Sequence, residues 1–535
     1  MSGAHALRSN APTEPFPDTL RVLAETMGAA AADLPIEEGA CQLGLTYTSM
    51  LPVEYRARHG VYYTPPALVE RMLDRATEAG IDWAKAHVLD PACGGGVFLA
   101  AAAKRIMAAR RGCEPGTLID GIGAQIRGYE IDSFAAWLSQ VTLDAVTLPA
   151  AVAAGRQLPN VVAVRDTLAI EKPERRFDLV IGNPPYGRVR LTKTRREQYG
   201  RVLYGHANLY SLFMDVAIRH TRINGLVAYL TPTGFLAGEY FKRLREVLAS
   251  NARPVTLDFV AVRKGVFADV LQEVVLGLYR RGSRRKTATV HVARPDANGG
   301  LHIRKTGTFR LPADAAQPWP MPRSGEEAAL LDRLVMFEAR LADWGYSVST
   351  GPLVWNRHKS QLTHEAGPTT LPLIWAEAVT GDGRFVWKAD KRNHAPYFKI
   401  EPGDDWLVVR KPCVLLQRTT AKEQSRRLIA AALPQTFLDR NKAVVVENHL
   451  NMILPVNGAS RVSAEVLAAF LNSQAADRAF RCISGSVAVS AYELKTLPLP
   501  SPDDLEPLAK LVMRKASRTE IEAACARLLT PDLLL

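Results

Sequence analysis

Residues 87–100 read HVLDPACGGGVFLA, and this stretch decides the fold of the N-terminal half of the chain. Residues 87–90 predict a buried strand, the glycines that follow predict a turn, and the apolar run from Val97 predicts a helix. A glycine turn between a strand and a helix lets a ligand approach the backbone at the helix N-terminus. The stretch therefore predicts one strand–turn–helix unit of an α/β sheet, with a ligand site at the carboxyl edge.

Strand and helix patterns alternate from about residue 87 to residue 280, which is typical of an α/β domain with a mostly parallel sheet. Seven strands are predicted, and a short connection between the last two predicts that they form an antiparallel pair. The strand candidates are residues 87–90, 127–131, 161–165, 177–182, 226–231, 255–262 and 274–279. The helix candidates between them are residues 97–110, 133–146 and 209–222.

The sequence changes character beyond this alternation. Pro, Gly and Ala are frequent in residues 292–345, which predicts a linker. The next 150 residues mix short strands with scattered Arg and Lys, and the last 35 predict amphipathic helices. The predicted organisation is an N-terminal extension at 1–54, an α/β domain at 55–291, a linker at 292–345, an α+β domain at 346–500 and a helical tail at 501–535.

Composition narrows the class of protein. The 535 residues include 67 Lys plus Arg and 54 Asp plus Glu, a formal net charge of +13 that favours a polyanionic partner. The 6 cysteines lie far apart without a C-x-x-C pair, which argues against a disulfide scaffold or a Cys-rich zinc site. The histidines show no metal-ligand spacing, so no metal is predicted. We find neither a signal peptide nor a membrane span, and predict a cytoplasmic protein.

Two acidic residues follow the strands next to the glycine turn. Glu130 ends the second predicted strand, where a carboxylate can accept both hydroxyls of a ribose. Asp166 follows the third strand, where it can accept the exocyclic amine of an adenine ring. The turn lacks the G-x-G-x-x-G pattern of dinucleotide sites and the Lys-Ser/Thr pair of a P-loop. A nucleoside without phosphates is therefore the better fit.

The sequence Asn183-Pro184-Pro185-Tyr186 follows the buried strand at residues 177–182. Its prolines restrict the backbone, so the Asn183 side-chain oxygen and the Pro184 carbonyl can accept both hydrogens of one planar amine. Such bonding frees the nitrogen lone pair and stabilises the charge that develops on it, without a covalent step or a strong base. Tyr186 can stack on the ring that carries the amine.

With these motifs the chain resembles the N6-adenine DNA methyltransferases, in the order typical of the γ-subclass of type II restriction–modification methylases. The resemblance covers roughly residues 55–285. It implies a Rossmann-like, S-adenosylmethionine-dependent methyltransferase domain with a seven-stranded mixed sheet, followed by an α+β target-recognition domain. Gly95 stands where the family often has Ser, and Ala268 follows Phe267 where the family often has Pro.

The resemblance implies a role for each matched residue. The catalytic tetrad is Asn183, Pro184, Pro185 and Tyr186, and the residues that stack on the target base are Tyr186 and Phe267. The residues that bind S-adenosylmethionine are Tyr63, Thr64, Pro65, Asp90, Pro91, Ala92, Cys93, Gly94, Gly96, Glu130, Ile131, Asp166, Thr167 and Asn183. Thr64 is also expected to cap the helix that Pro65 begins.

Double-stranded DNA is the implied partner, and a basic loop after the tetrad is placed to contact its phosphates. The loop residues are Arg188, Arg190, Lys193, Arg195 and Arg196, and Arg201 follows; a second cluster comprises Arg280, Arg281, Arg284, Arg285 and Lys286. In the recognition domain, Arg357 and Arg392 are candidate base readers. A separately encoded restriction endonuclease, a monomeric state and a location in the bacterial cytosol, at the nucleoid, are further expectations.

Other functions remain open at this stage. The same tetrad serves methylation of RNA bases, of cytosine N4 and of protein glutamine, and a catalytically inactive DNA-binding module is an alternative of another class. Pro412-Cys413 and Glu447-Asn448 resemble motifs of cytosine-5 methyltransferases. Both lie far beyond the glycine turn, and Cys413 precedes an apolar run that predicts a core strand, so we reject that chemistry.

Overall fold

A computed structural model gives the fold and describes residues 64–260, 273–296, 300–419, 426–456, 460–483 and 488–529, with isolated positions between residues 26 and 46. The chain divides into two compact units. The first extends to Phe235 and includes Tyr240–Ala316; the second comprises Leu236–Glu239 and the chain from Gln317 onward. Most of the predicted N-terminal extension lies outside the described residues.

The first unit is built on a nine-stranded sheet. Its strands and one small ribbon are β1 (Val88–Asp90), β2 (Ile126–Glu130), β3 (Val162–Val164), β4 (Phe177–Gly182), β5 (Arg188–Val189), β6 (Ala207–Asn208), β7 (Thr221–Pro232), β8 (Ala252–Val260), β9 (Val274–Arg281), β10 (Thr287–Pro295) and β11 (Leu301–Arg310). The order across the sheet is β11-β10-β8-β9-β7-β4-β1-β2-β3, while β5 and β6 pair with each other.

The centre of the sheet is parallel. β1 pairs in parallel with β2 and β4, β2 with β3, and β4 with β7, whereas β9 runs antiparallel to both β7 and β8. This confirms the predicted mixed sheet and its antiparallel pair. Because parallel strands share one carboxyl edge, Asp90, Glu130 and Gly182 end their strands on the same side of the domain.

Local sequence explains the central strand and the long helix beside it. All six residues of β4, FDLVIG, are buried, as expected for a parallel strand covered on both faces. The helix Ser133–Ala154 begins where the Asp132 side chain accepts from the Ala135 amide, and ends at Gly155 in the left-handed conformation. This helix therefore starts at the carboxyl edge, three residues after Glu130.

The helices of the first unit have clear bounds. They are Pro66–Glu78, Val97–Ala109, Pro115–Gln125, Ser133–Ala154, Lys193–Gln198, Leu209–His220 and Lys242–Asn251. The predicted helices at 97–110, 133–146 and 209–222 are thus confirmed, the second extending further than its pattern indicated. In the described part of the chain, no helix has the length and apolar character needed to cross a membrane.

The predicted linker at 292–345 is wrong. Residues up to Pro295 and the strand Leu301–Arg310 extend the main sheet, which therefore has nine strands rather than seven. The helix Gly325–Leu334 packs into the second unit, and Ser324 caps it by accepting from the Glu327 amide. β11 is a polar edge strand whose side chains are mostly solvated, so its composition resembles that of a loop.

The second unit has the predicted α+β character. Its strands are β12 (Tyr346–Thr350), β13 (Leu362–Thr363), β14 (Thr370–Ile374), β15 (Tyr397–Lys399), β16 (Val408–Val409), β17 (Val414–Gln417), β18 (Ala430–Ala432), β19 (Val444–Val446) and β20 (Leu450–Pro455). They form the sheets β12-β20-β17-β18 and β13-β15-β14-β19-β16. The helices are Gly325–Leu334, Gln435–Asn441, Ala464–Leu471, Gln474–Ile483, Ala491–Thr496, Glu506–Met513 and Arg518–Leu529.

Candidate functional site

The glycine turn lies at the carboxyl end of β1 and leads into the helix Val97–Ala109. Gly96 caps this helix with a φ of 86°, and a Cβ there would lie 2.5 Å from the Ser139 hydroxyl oxygen. Only glycine fits at this position, for reasons of both backbone conformation and space. Gly94 also has a positive φ, of 51°, but a Cβ there would meet open space. The turn is therefore tightly packed at Gly96, where the helix begins, and open at Gly94.

Asp90 is the buried carboxylate of the site, with 1% of its surface exposed. Its Oδ1 accepts from the Ala92 amide at 3.0 Å, whereas its Oδ2 has no hydrogen-bond partner among the described residues. Burial raises the pKa of Asp90 to about 8 despite the opposing bond from Ala92, and the nearby Glu130 charge adds to the rise. A buried acceptor without a partner indicates a place for a cationic or hydrogen-bonding ligand.

Glu130 holds the backbone of the same edge together. Its Oε2 accepts from the Gly94 amide at 2.9 Å, and its Oε1 accepts from the amides of Ile131 and Asp132 at 2.9 and 3.0 Å. Burial raises the pKa of Glu130, and these three amides oppose the rise. A carboxylate has about four acceptor positions, so Glu130 can still accept from a ligand hydroxyl. The neighbouring Ile131 side chain is 56% exposed.

Asp166 lies on the next turn and forms an unpredicted ion pair. Its Oδ1 accepts from the Leu168 amide, and its Oδ2 lies 2.7 Å from the Arg195 guanidinium. Both partners are partly exposed, at 38% and 30% of their side chains. The neighbouring Thr167 is buried and donates its hydroxyl to the Pro91 carbonyl at 2.6 Å. Thr167 thus ties this turn to the glycine turn.

Asn183 is fixed from both sides of its amide. Its Nδ2 donates to the Thr64 hydroxyl at 3.0 Å, and its Oδ1 accepts from the Tyr186 hydroxyl at 2.5 Å. The Tyr186 hydroxyl also lies 3.1 Å from the Leu230 carbonyl, and its ring packs edge-on against Tyr210. The tetrad is therefore ordered by contacts to the helix entrance at residue 64 and to β7.

The helix Pro66–Glu78 begins one residue later than expected. Its N-cap is Pro65, whose side chain has no hydrogen-bonding group, and the Thr64 hydroxyl accepts from Asn183 at the site. The predicted capping role of Thr64 is therefore wrong, although Thr64 does lie at the site. Tyr63 and Phe267, two predicted ligand contacts, lie outside the described residues.

The basic residues separate into exposed and internally used groups. Arg188, Arg190, Lys193 and Arg196 are exposed on the segment that follows the tetrad. Arg201 instead pairs with the buried Asp215 at 2.5 Å. Arg280 and Arg281 donate to backbone carbonyls of Ala79, Thr221 and Asn224. Arg280 also pairs with Leu226 of β7, and Arg281 with Ala252, the first residue of β8, at the sheet edge opposite the tetrad.

The rejected cytosine-5 motif is structural. Cys413 is fully buried, and burial raises the pKa of its thiol to about 12, which disfavours the nucleophilic thiolate. In the same unit, Arg357 and Arg392 are exposed. The described residues contain no group of three or more His, Cys, Asp or Glu side chains arranged to hold a metal ion.

Sequence reasoning missed three features of this site. These are the anchoring of Asn183 by Thr64, the Arg195–Asp166 ion pair, and the fully buried Tyr229 on β7. Burial and the charge of Asp90 raise the pKa of Tyr229 well above its usual value, and its hydroxyl lacks a partner among the described residues. Each feature depends on tertiary proximity, so no local pattern signals it.

Comparison with known proteins shows which families and folds the chain resembles. Residues 151–267, which include Asp166 and the whole tetrad, match the family model described as "Eco57I restriction-modification methylase". The solved structure of the type IIL restriction-modification enzyme MmeI in complex with DNA shares the fold, with a TM-score of 0.54 and 13% identity, covering 91% of this chain and 78% of that chain.

Individual relatives agree with this class. The chain is 27% identical over 376 residues to the type II methyltransferase M.BsuBI of Bacillus subtilis, covering 68% of this chain and 74% of the relative. It is 27% identical over 361 residues to the type II methyltransferase M.PstI of Providencia stuartii, covering 65% and 69%. These matches confirm the resemblance to the type II restriction–modification methylases that the sequence predicts.

The raised pKa of Asp90 predicts a pH-dependent stability. Its pKa is about 8 in the folded chain but about 4 in an unfolded one, so the folded state binds the extra proton. The free energy of unfolding therefore falls as pH rises from about 4 to 8. Asp90→Asn removes this pH-dependent contribution to stability. The free energy of unfolding of the variant minus that of wild type should therefore rise by on the order of 3 kcal/mol between pH 5 and pH 8.

Chemical denaturation of both chains without added ligand measures this difference at the two pH values. The exposed substitution Asp82→Asn is the control for loss of a carboxylate, since Asp82 is a surface residue. A difference between Asp90→Asn and wild type that does not change with pH would contradict the account of Asp90.

Proposed function

We propose that the protein is the modification methyltransferase of a restriction–modification system, and that it transfers the methyl group of S-adenosylmethionine to the N6 amine of adenine in duplex DNA. The observation that carries the proposal is the fixed Asn183 amide, held at the carboxyl end of β4 by Thr64 and Tyr186. The likeness to type II methyltransferases and to the restriction-modification methylase family supports DNA as the substrate.

The residues of the carboxyl edge fit S-adenosylmethionine, a nucleoside with a cationic amino-acid arm. The buried Asp90 Oδ2 has an unused acceptor position for a cationic group, and Glu130 can accept from a ribose hydroxyl. The exposed Ile131 side chain offers an apolar surface to the adenine ring, and Asp166 an acceptor to its amine. When bound, the cofactor supplies an electrophilic methyl group.

The tetrad activates the target amine by hydrogen bonding. The Asn183 oxygen has two lone pairs, and the bond from Tyr186 uses one. The second lone pair and the Pro184 carbonyl can accept the two amine hydrogens, which stabilises positive charge as it develops on nitrogen. The proton that nitrogen loses passes to solvent, since the described residues place no strong base beside the tetrad. Tyr186 and Phe267 remain the proposed stacking partners of the extruded base.

Duplex DNA is the proposed partner, because the exposed cations Arg188, Arg190, Lys193 and Arg196 lie directly after the tetrad in the chain. Residues 346–500, within the second unit, are the proposed target-recognition domain. We further propose that the chain acts as a monomer in the bacterial cytosol and that the cognate endonuclease is a separate protein.

Replacement of Asn183 tests the proposed chemistry. Asn183→Ala should lower the rate of methyl transfer to duplex DNA by about 100-fold, because one preorganised acceptor of developing charge is lost. The affinities for S-adenosylmethionine and DNA should remain within a few-fold of wild type, since the interaction strengthens mainly in the transition state. Single-turnover kinetics and calorimetry separate these effects.

Asn160→Ala, an exposed asparagine of the same unit, is the matched control. Near-normal transfer by Asn183→Ala would refute the assignment of the tetrad. A large loss of cofactor affinity with an unchanged rate of transfer would assign Asn183 to binding instead.

The Arg195–Asp166 ion pair predicts a competition with the cofactor. If Asp166 accepts the adenine amine of S-adenosylmethionine, Arg195 occupies the same oxygen in the structure. Arg195→Ala should then tighten cofactor binding in the absence of DNA by about two- to fivefold, the modest range of a partly exposed ion pair. Arg196→Ala, the neighbouring exposed arginine, should leave this dissociation constant unchanged. Weaker cofactor binding by Arg195→Ala would show that the pair supports the site instead.

A further inference from the structure

The rejected Glu447-Asn448 motif forms a rigid polar corner in the second unit. Residues 447–450 make a β-turn between β19 and β20, closed by the Leu450 amide donating to the Glu447 carbonyl at 3.1 Å. The chain passes here from one sheet of the unit to the other. Gly351 packs beneath the turn, where a Cβ would lie 2.3 Å from the Glu447 carbonyl oxygen. The backbone of the turn is therefore held from both sheets.

Glu447 is 1% exposed and holds the half-exposed His449. Its Oε2 accepts from the His449 amide at 2.9 Å, and its Oε1 lies 2.7 Å from Nδ1 of the His449 ring. The His449 side chain is 51% exposed. A carboxylate against Nδ1 fixes the proton on that nitrogen and leaves Nε2 for another partner. A buried acid thus orients an imidazole whose other nitrogen is available to a ligand.

Arg418 joins the same corner from β17. Its amide donates to the His449 carbonyl at 2.8 Å, and its guanidinium donates to the Asn448 carbonyl at 3.1 Å. A guanidinium carries five N–H donors in a rigid planar arrangement, so this one bond orients the group and leaves other donors for a ligand. The neighbouring Gln417 differs, because its amide donates inward to the carbonyls of Ala376 and Val379. Gln417 therefore stabilises the fold, whereas Arg418 is the polar side chain at the end of β17 that can contact a ligand.

We propose that Arg418, Asn448 and His449, here called the corner triad, read base edges of the DNA target sequence. The inference rests on the proposed function and assigns its specificity to named residues. In the major groove Arg pairs with guanine O6 and N7, and Asn pairs with adenine N6 and N7. The imidazole tautomer with its proton on Nδ1 can accept at Nε2, which suits an exocyclic amine of adenine or cytosine.

Preorganisation distinguishes Arg418 and His449 of the corner triad from the readers expected from sequence. Arg418 and His449 are each oriented by hydrogen bonds of the turn, and the buried Glu447 acts as the positioning residue for His449. Arg357 and Arg392 are exposed arginines, on a short 3-10 helix and on an irregular segment. A reader that is already oriented loses less side-chain freedom on binding, so it discriminates better between bases.

The test is the methylation motif of the full-length protein on a randomised duplex library, read by modification-sensitive sequencing. His449→Ala and Arg418→Ala should each relax one position of the wild-type motif, with preference there falling by roughly 10- to 100-fold. Glu447→Gln should weaken preference at the His449 position only. His364→Ala and Arg410→Ala replace exposed residues of the same types in this unit and should leave the motif unchanged.

Thermal melting shows whether each variant folds. Where an alanine variant does not fold, the conservative variant His449→Gln or Arg418→Lys replaces it in the test. A wild-type motif that persists in the His449, Arg418 and Glu447 variants would overturn this inference while the proposed function stands. Failure of the wild-type protein to methylate any DNA would overturn the proposed function and the inference together.

Discussion

The close approach of Asp90 to Gly182 is the contact on which the site depends. These residues end the neighbouring parallel strands β1 and β4, and a Cβ at Gly182 would lie 2.7 Å from the Asp90 carboxylate. Asp90 begins the glycine turn and Gly182 immediately precedes the tetrad, so this one contact sets the register between the two functional segments. A side chain at residue 182 would displace either the buried acid or Asn183.

Electrostatics gives the same edge its chemical character. Asp90 is buried and Glu130 is partly buried, and the charge of Glu130 further raises the pKa of Asp90. Two acids arranged in this way are costly to the folded protein and favour a cationic ligand, such as the proposed S-adenosylmethionine. The tetrad beside them carries polar oxygens on a restricted backbone, so the edge combines a site for a cation with acceptors for an amine.

Much of this arrangement could be predicted from sequence because its signals are local. The strand Phe177–Gly182 has the bounds of its apolar run, and the glycine turn and tetrad follow strands as expected. The linker prediction failed because the polar edge strand Leu301–Arg310 has the composition of a loop. The Arg195–Asp166 pair joins residues that are distant along the chain, and the Glu447–His449 contact depends on the burial of Glu447. Neither tertiary proximity nor the burial of one particular acid is visible in the pattern of residues along the chain.

We propose that this edge of the sheet directs a methyl group to the N6 amine of adenine in DNA. The direct measurement is incubation of the protein with duplex DNA and methyl-labelled S-adenosylmethionine, followed by digestion to nucleosides and mass spectrometry. We expect label in N6-methyldeoxyadenosine with wild-type protein, and loss of this label when Asn183 is replaced. Label in N4-methyldeoxycytidine, or label in protein with none in DNA, would contradict it.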